Sequence, residues 1–262
     1  MKYGFIGCGN MGGAIARALS CTTKDIMLSD YLPEKAAALA EELGCKCGDN
    51  ETVLKSCERI FLAVKPQVMA DVLAPLQPLF AERKPLVITM AAGITRDRIE
   101  ELIGTHLPII RIMPNTPVMV NSGMILYCHN ELVDEAMLTD FLADTVPCGQ
   151  WDKLDEELID AAGVVSGCGP AYMYMFMNAL AKGAAACGVP QDKALAYAAA
   201  TMIGAAKMVQ QTGEDPEVLK NNVCSPGGST IAGVRALEAA NFDKAVLDCV
   251  CAAYKRNQEL GK

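Results

Sequence analysis

The chain is poor in histidine and in positive charge. Only two histidines occur in 262 residues. His106 precedes Leu107-Pro108 and His129 adjoins Asn130 in an expected turn, so both read as surface or turn residues rather than catalysts. Their scarcity argues against a His-rich metal site, and no metal is expected. Lys and Arg total 23 against 31 acidic residues, a formal net charge of -8. No Lys/Arg cluster compensates for that charge, which argues against nucleic acid as a partner. No uninterrupted apolar run reaches the ~18 residues of a membrane span. The Ala-rich segment 179–206 is broken by Lys182, Gly188, Pro190, Gln191, Asp192 and Lys193. A signal peptide is not expected either, because the first apolar segment, Tyr3 to Ile6, runs straight into a glycine loop.

Cysteine is plentiful, with twelve residues, but metal-ligand spacing is missing. Cys45-Lys46-Cys47 has a single intervening residue and no second pair nearby. Other cysteines, such as Cys57, Cys187, Cys249 and Cys251, are scattered through apolar or helical contexts. Free thiols in a reducing compartment, the cytoplasm, are expected. At 52% hydrophobic residues the chain can bury a large core, as one big domain or two modest ones.

What is present begins at residue 2. Lys2 to Ile6 reads as a buried strand and is followed by Gly7-Cys8-Gly9-Asn10-Met11-Gly12. This is G-x-G-x-x-G with a strand before it and a helical pattern after it (Ala14, Ile15, Ala18, Leu19). Gly7 permits the tight turn, Gly9 the approach of a pyrophosphate, and Gly12 close helix–sheet packing. A second strand, Ile26 to Ser29, ends at Asp30, where an acidic side chain accepts from ribose hydroxyls and repels a 2′-phosphate. A turn or helix-cap role before Pro33 is the competing reading of Asp30.

The alternation continues. Strands are expected at 60–64, 86–90 and 109–113, with helices over 34–43 and 96–102. Val68–Phe80 reads as helical or irregular, Gly123–Cys128 as an edge strand, Glu131–Asp144 as helix, and Cys148-Gly149 as a short strand or turn. Such a pattern describes a parallel sheet whose ligands collect beyond the strand carboxyl ends. Those ends are Gly7–Gly12, Ala63–Pro66, Ala91–Gly93 and Pro114–Pro117, with Ala91 among the expected cofactor contacts.

Near Leu154 the character changes. Ser166-Gly167-Cys168-Gly169-Pro170 is a break or helix start, since proline suits a first helical turn. Helices are expected over 171–187, 192–211, 216–222, 230–239 and 242–260. The expected fold is thus α/β: a Rossmann-like dinucleotide-binding domain over 1–154, then an all-α dimerisation and substrate domain over 155–262. Small Ala and Gly faces allow close helix packing, and a helical half of this kind often buries its apolar face against a second subunit, which favours a dimer at least; a monomeric helical domain is the competing reading. One stretch interrupts these helices, Asn221-Asn222-Val223-Cys224-Ser225-Pro226-Gly227-Gly228-Ser229-Thr230. It can present several backbone N–H groups to a small anion, or serve only as a helix–helix turn.

These motifs together resemble the pyrroline-5-carboxylate reductase family. The resemblance spans essentially the whole chain. It rests on Phe5–Gly12, Phe61-Leu62-Ala63-Val64-Lys65-Pro66, Arg111-Ile112-Met113-Pro114-Asn115-Thr116-Pro117, Ser166–Tyr172 and Ser225–Thr230, in that order. It implies reduction of a small cyclic imine carboxylate, 1-pyrroline-5-carboxylate, to proline with NADPH or NADH. By the resemblance, Ile6, Gly7, Cys8, Gly9, Asn10, Met11 and Gly12 hold the dinucleotide. Asn50 reaches its adenosine side. Ala63, Val64, Lys65 and Pro66 line it. Met113, Pro114 and Asn115 lie by the nicotinamide, and Asn115 also borders the substrate. Ser225 with the backbone of Gly228, Ser229 and Thr230 grips the carboxylate, and the Thr230 hydroxyl is the catalytic group beside the ring nitrogen. Dimers with interleaved helices, or decamers, are implied as well. Departures are modest. Cys168 stands where the family more often has Ser, and Lys182 replaces a commoner acidic residue. The family often uses NADPH, so Asp30 leaves cofactor preference open.

Two rival readings differ in class. A β-hydroxyacid-type dehydrogenase joins a similar pair of domains, but places a catalytic Lys four residues before an Asn. Here Asn178 precedes Lys182. A non-catalytic NAD(P)-binding protein would have no use for an intact anion loop.

Overall fold

Tyr3–Ile6 forms the first strand, β1, and all four residues are buried. Burial on both faces is what a parallel sheet demands of its central strands. The computed structural model describes residues 1–260. Gly261 and Lys262, the end of the expected helical domain, lie outside the described residues. After β1 come α1 (Asn10–Leu19), β2 (Ile26–Ser29), α2 (Pro33–Leu43) and a two-residue β3 (Lys46–Cys47). Then follow α3 (Asn50–Ser56), β4 (Arg59–Leu62), α4 (Pro66–Leu73), α5 (Gln77–Arg83), β5 (Leu86–Thr89), α6 (Arg96–Ile103) and β6 (Ile109–Met113). The series ends with β7 (Gly123–His129), α7 (Glu135–Asp144), β8 (Gly149–Lys153) and α8 (Glu156–Ser166).

The eight strands form one sheet in the order β3-β2-β1-β4-β5-β6-β7-β8. All neighbours run parallel except β6 and β7. The order reverses between β1 and β4, which opens a crevice beyond their carboxyl ends. Alternate residues feed the two faces. Phe5 and Phe61 stack at 4.4 Å on one face, with Phe141 of α7 beside Phe61. Ile6, Ile60 and Leu62 join Leu54, Phe80 and Ile99 on the other. Each such fully buried side chain contributes about 1.5–3 kcal/mol.

Several local expectations shift. The expected edge strand, Gly123 onward, is internal, because β8 pairs outside it. The strand expected to reach residue 64 stops at Leu62, leaving Ala63–Lys65 as a loop. The helix expected from Glu131 starts only at Glu135, where the Asp134 carboxylate accepts the Met137 N–H (2.7 Å) and fixes the first turn. α3 was not anticipated; the Asp49 carboxylate starts it by accepting the Thr52 N–H (2.7 Å).

By packing, the described chain forms two units. Met1–Cys168, with the chain from Ala253, is the first, and Gly169–Ala252 the second. α8 lies beyond the compositional change at Leu154, yet its Ile159 packs with Met113, Leu126 and Cys128 of the sheet. The second unit is helical: α9 (Gly169–Ala186), α10 (Gln191–Thr212), α11 (Pro216–Val223), α12 (Ser229–Ala239) and α13 (Phe242–Leu260), which belongs to it as far as Ala252. Among the described residues no helix is long and apolar enough to cross a membrane.

Candidate functional site

The β1–α1 connection is built around Gly7, whose φ is +106°. A Cβ there would sit 2.6 Å from the Ala63 carbonyl oxygen, so the loop carries a backbone that side chains resist. Gly12 is equally confined, since a Cβ would lie 2.4 Å from the Gly7 oxygen. Close contact of α1 with the loop requires hydrogen at both positions. Gly9 caps α1 without any side-chain hydrogen bond. The first-turn N–H groups of α1 therefore have no side-chain acceptor at the cap and suit a phosphate.

Beside this loop lies a cavity of about 600 Å³, a size suited to a cofactor. Of the residues expected at the cofactor, Ile6, Gly7, Gly9, Asp30, Asn50, Ala63, Val64 and Lys65 line it. The Asp30 carboxylate is fixed by two backbone donors, the N–H of Cys8 (2.7 Å) and of Leu32 (3.1 Å). Asn50, at the start of α3, accepts from the Ser29 hydroxyl (2.7 Å). Tyr31, Val68, Asp71 and Val72 also line the cavity, and sequence reasoning passed over them. The signal was faint but present: Tyr31 follows Asp30, and Val68, Asp71 and Val72 share one helical face of α4.

The other expected contacts lie elsewhere in the first unit. Asn10, Met11, Gly12, Pro66, Ala91, Met113, Pro114 and Asn115 do not line this cavity. The Cys8 thiol turns inward and donates to the Ser29 carbonyl (3.3 Å). Burial, helped by the Asp30 charge, pushes it up to about 12, so it is an inert thiol within the glycine loop. Met113 packs under α8, where a Cβ on Gly163 would come within 3.0 Å of its Cγ. The Asn115 amide is used inside the protein: Nδ2 donates to the Ser166 carbonyl (2.9 Å), and Oδ1 accepts the Met124 N–H (3.0 Å). It ties the end of β6 to β7 and to the end of α8. Its remaining hydrogen and lone pair are what it can offer a ligand.

In the second unit, α11 ends at Val223 and a turn follows. Gly227 takes φ +71°, and the Gly228 N–H returns to the Ser225 carbonyl (3.0 Å). Gly228 then caps α12 with extended backbone and no side-chain hydrogen bond. A Cβ on Gly228 would lie 2.4 Å from the Ser225 hydroxyl oxygen. The absent side chain lets that hydroxyl rest against the cap. Since Gly228 holds the cap position, the Thr230 hydroxyl is not the N-cap group. Ser225, Ser229 and Thr230 are exposed. The turn brings together, in one place, hydroxyls and the unpaired first-turn N–H groups of an eleven-residue helix.

Comparison with known proteins gives two family matches. Residues 156–260 match the family described as pyrroline-5-carboxylate reductase dimerisation, and residues 2–93 match NADP oxidoreductase, coenzyme F420-dependent. A pyrroline-5-carboxylate reductase of Escherichia coli (strain K12) is 38% identical over 266 residues, covering 100% of this chain and 98% of the relative. A solved 1-pyrroline-5-carboxylate reductase from Streptococcus pyogenes superposes with TM-score 0.91 at 30% identity, over 99% of this chain and 98% of that one. A Plasmodium falciparum pyrroline carboxylate reductase with NADP bound gives 0.88 at 28% identity, over 100% and 98%.

Proposed function

The chain belongs to the pyrroline-5-carboxylate reductase family, and from that membership we propose how its own residues divide the work. It reduces 1-pyrroline-5-carboxylate to proline with NAD(P)H. The observation that carries the residue assignment is the turn before α12, whose hydroxyls and free N–H groups fit a carboxylate.

The substrate is a cyclic imine bearing a carboxylate. Its C5=N bond must gain a hydride at carbon and a proton at nitrogen; the imine takes that proton from solvent, and the resulting iminium is the better hydride acceptor. NAD(P)H, when bound, supplies the hydride. The Ser225 hydroxyl and the N–H groups of Ser229 and Thr230 grip the carboxylate, while the Gly228 N–H, held by the Ser225 carbonyl, shapes the turn. That grip fixes where the imine carbon stands, and holding the reacting atoms close accounts for much of such catalysis. Gly7, Gly9 and the start of α1 hold the pyrophosphate, with Asp30 and Asn50 on the adenosine side. The Thr230 hydroxyl orients the ring nitrogen. An unperturbed hydroxyl is too weak an acid or base to do more near neutrality.

Protein mixed with pyrroline-5-carboxylate and NADH or NADPH consumes the cofactor and yields proline. No proline with either cofactor would overturn the reading. Thr230→Ala lowers kcat about 100-fold, the cost of a misplaced substrate, while the dissociation constant for NAD(P)H stays unchanged. An unaltered kcat removes Thr230 from the mechanism.

The enzyme is oligomeric, and we assign the contact to the helical unit. Met175, Tyr197 and Leu247 there are 72%, 61% and 62% exposed, too much apolar surface to leave in water. A dimer is the expected minimum, with a decamer as the larger form. Light scattering should return at least twice the 27.9 kDa of one chain; a single-chain mass would refute it. The chain's twelve unpaired cysteines suit a reducing cytoplasm, which cell fractionation checks.

A further inference from the structure

We propose that Asp30 sets the cofactor preference of this enzyme and makes it favour NADH over NADPH. The inference rests on the reductase reading for the class of cofactor and goes beyond it in choosing between the two. The dinucleotide fold places the adenine ribose at the carboxyl end of β2, where Asp30 stands. Asp30 lines the cavity and is held there by the Cys8 and Leu32 N–H groups, one on each oxygen. Each oxygen keeps a lone pair. A ribose 2′-hydroxyl can donate to that fixed acceptor without any reorganisation of the protein. A 2′-phosphate in the same place would face a carboxylate that cannot turn away without giving up two backbone hydrogen bonds, the part-buried one from Cys8 being the costlier.

The remaining charges do not offset this. The cavity is lined by two carboxylates, Asp30 and Asp71, and one base, Lys65. Lys65 leaves β4, on the far side of β1 from β2, and so serves the other strand end of the crevice. After Asp30 come Tyr31, Leu32 and Pro33, none of which offers a positive charge to a phosphate. The next base, Lys35 in the first turn of α2, acts on the Cys8 thiol as a charge but is exposed to solvent. A hydrated lysine on a flexible stem is a poor substitute for the planar arginine fork that grips phosphates. NADPH therefore binds, but more weakly than NADH.

Three measurements test the proposal. Intact enzyme should show kcat/KM about tenfold or more higher with NADH than with NADPH, the size expected of one unscreened like-charge contact. Asp30→Asn, which removes the charge and keeps an acceptor for a backbone N–H, should shrink that ratio by about tenfold, mainly through a lower KM for NADPH. With unmodified protein, 5′-AMP should compete against NADH more strongly than 2′,5′-ADP does. A preference for NADPH in the intact enzyme overturns the proposal. So does an unchanged ratio in a folded Asp30→Asn, or stronger competition by 2′,5′-ADP. The competition can be read as displacement of NADH fluorescence, without turnover. It thus decides the preference if the variant fails to fold, and even if no proline is formed, which would count against the reductase reading alone.

Discussion

Glu156→Ala destabilises the first unit by about 3–5 kcal/mol, more than loss of the arginine it serves. Arg111, in the middle of β6, is fully buried, its side chain 1% exposed. Its guanidinium reaches Glu156 (3.3 Å) and Asp160 (2.7 Å), and among the described residues its Nε has no partner. Glu156 also accepts both the backbone N–H and the Nε of Arg96, each at 2.9 Å. Arg96 in turn donates to the His129 carbonyl. Deleting Glu156 leaves a desolvated guanidinium with one partner and strips Arg96 of two hydrogen bonds. Arg111→Met acts differently, because it removes the buried charge along with its contacts. Glu156 keeps Arg96, and Asp160, 30% exposed, turns to water. That substitution costs about 1–3 kcal/mol. Urea midpoints at neutral pH order the two variants, and a larger loss for Arg111→Met would refute the desolvation argument.

The same carboxylate carries a pH signature. Burial alone would raise Glu156, but the Arg96 N–H and guanidinium and the Arg111 charge outweigh it, holding the group below its ordinary 4.5. A depressed folded value means the contribution is complete above the unfolded value and disappears as pH falls through the folded one. The stability gap between the protein and Glu156→Gln should accordingly close in acid, below about pH 4.

This cluster shows where the sequence stops being legible. Arg111 sits in a motif that was read for its Pro114-Asn115 end. An arginine inside a buried strand signals a partner, yet Glu156 and Asp160 lie 45 and 49 residues away. Asn115 poses the same difficulty, because its partners Ser166 and Met124 are fixed by the fold and not by the local pattern. By contrast, β1, the glycine loop and α1 were readable because all their partners are local or periodic. Lys46–Cys47 was invisible as a strand because both residues are exposed and two residues have no period. The direction of β7 was hidden for another reason: an apolar run does not say which way it pairs. Helix α4 shows a third kind of ambiguity. A helix face lining a cavity has the same spacing as one facing a core, so Asp71 and Val72 went unnoticed. At the other end of the chain, the Ser225–Thr230 motif was plain in sequence. Only the extended backbone of Gly228 relieved Thr230 of the capping role.

Two glycines of the same loop should fail in opposite ways. Gly7→Ala forces an L side chain into φ +106° and drives its Cβ to within 2.6 Å of the Ala63 carbonyl oxygen, in a residue tied to β1 by its N–H bond to the Ile6 carbonyl (2.9 Å). Backbone strain and overpacking together cost about 2–5 kcal/mol, and cofactor binding is lost with the fold. Gly9 has φ -64°, and a Cβ there meets nothing within 4 Å. Alanine fits that backbone, so the loss of stability stays within ~1 kcal/mol, the difference between glycine and alanine as a helix cap. Yet Gly9 lines the cavity, and in the proposed assignment the added methyl stands where the pyrophosphate approaches α1. NAD(P)H affinity should fall by roughly 10–100-fold, the cost of crowding a filled site by one carbon. Thermal melts and cofactor fluorescence titrations on the two variants separate the effects. A Gly9→Ala protein that keeps both its melting temperature and its cofactor affinity would mean that the phosphates are held elsewhere. If it unfolds instead, the open space at Gly9 is not what makes glycine necessary there.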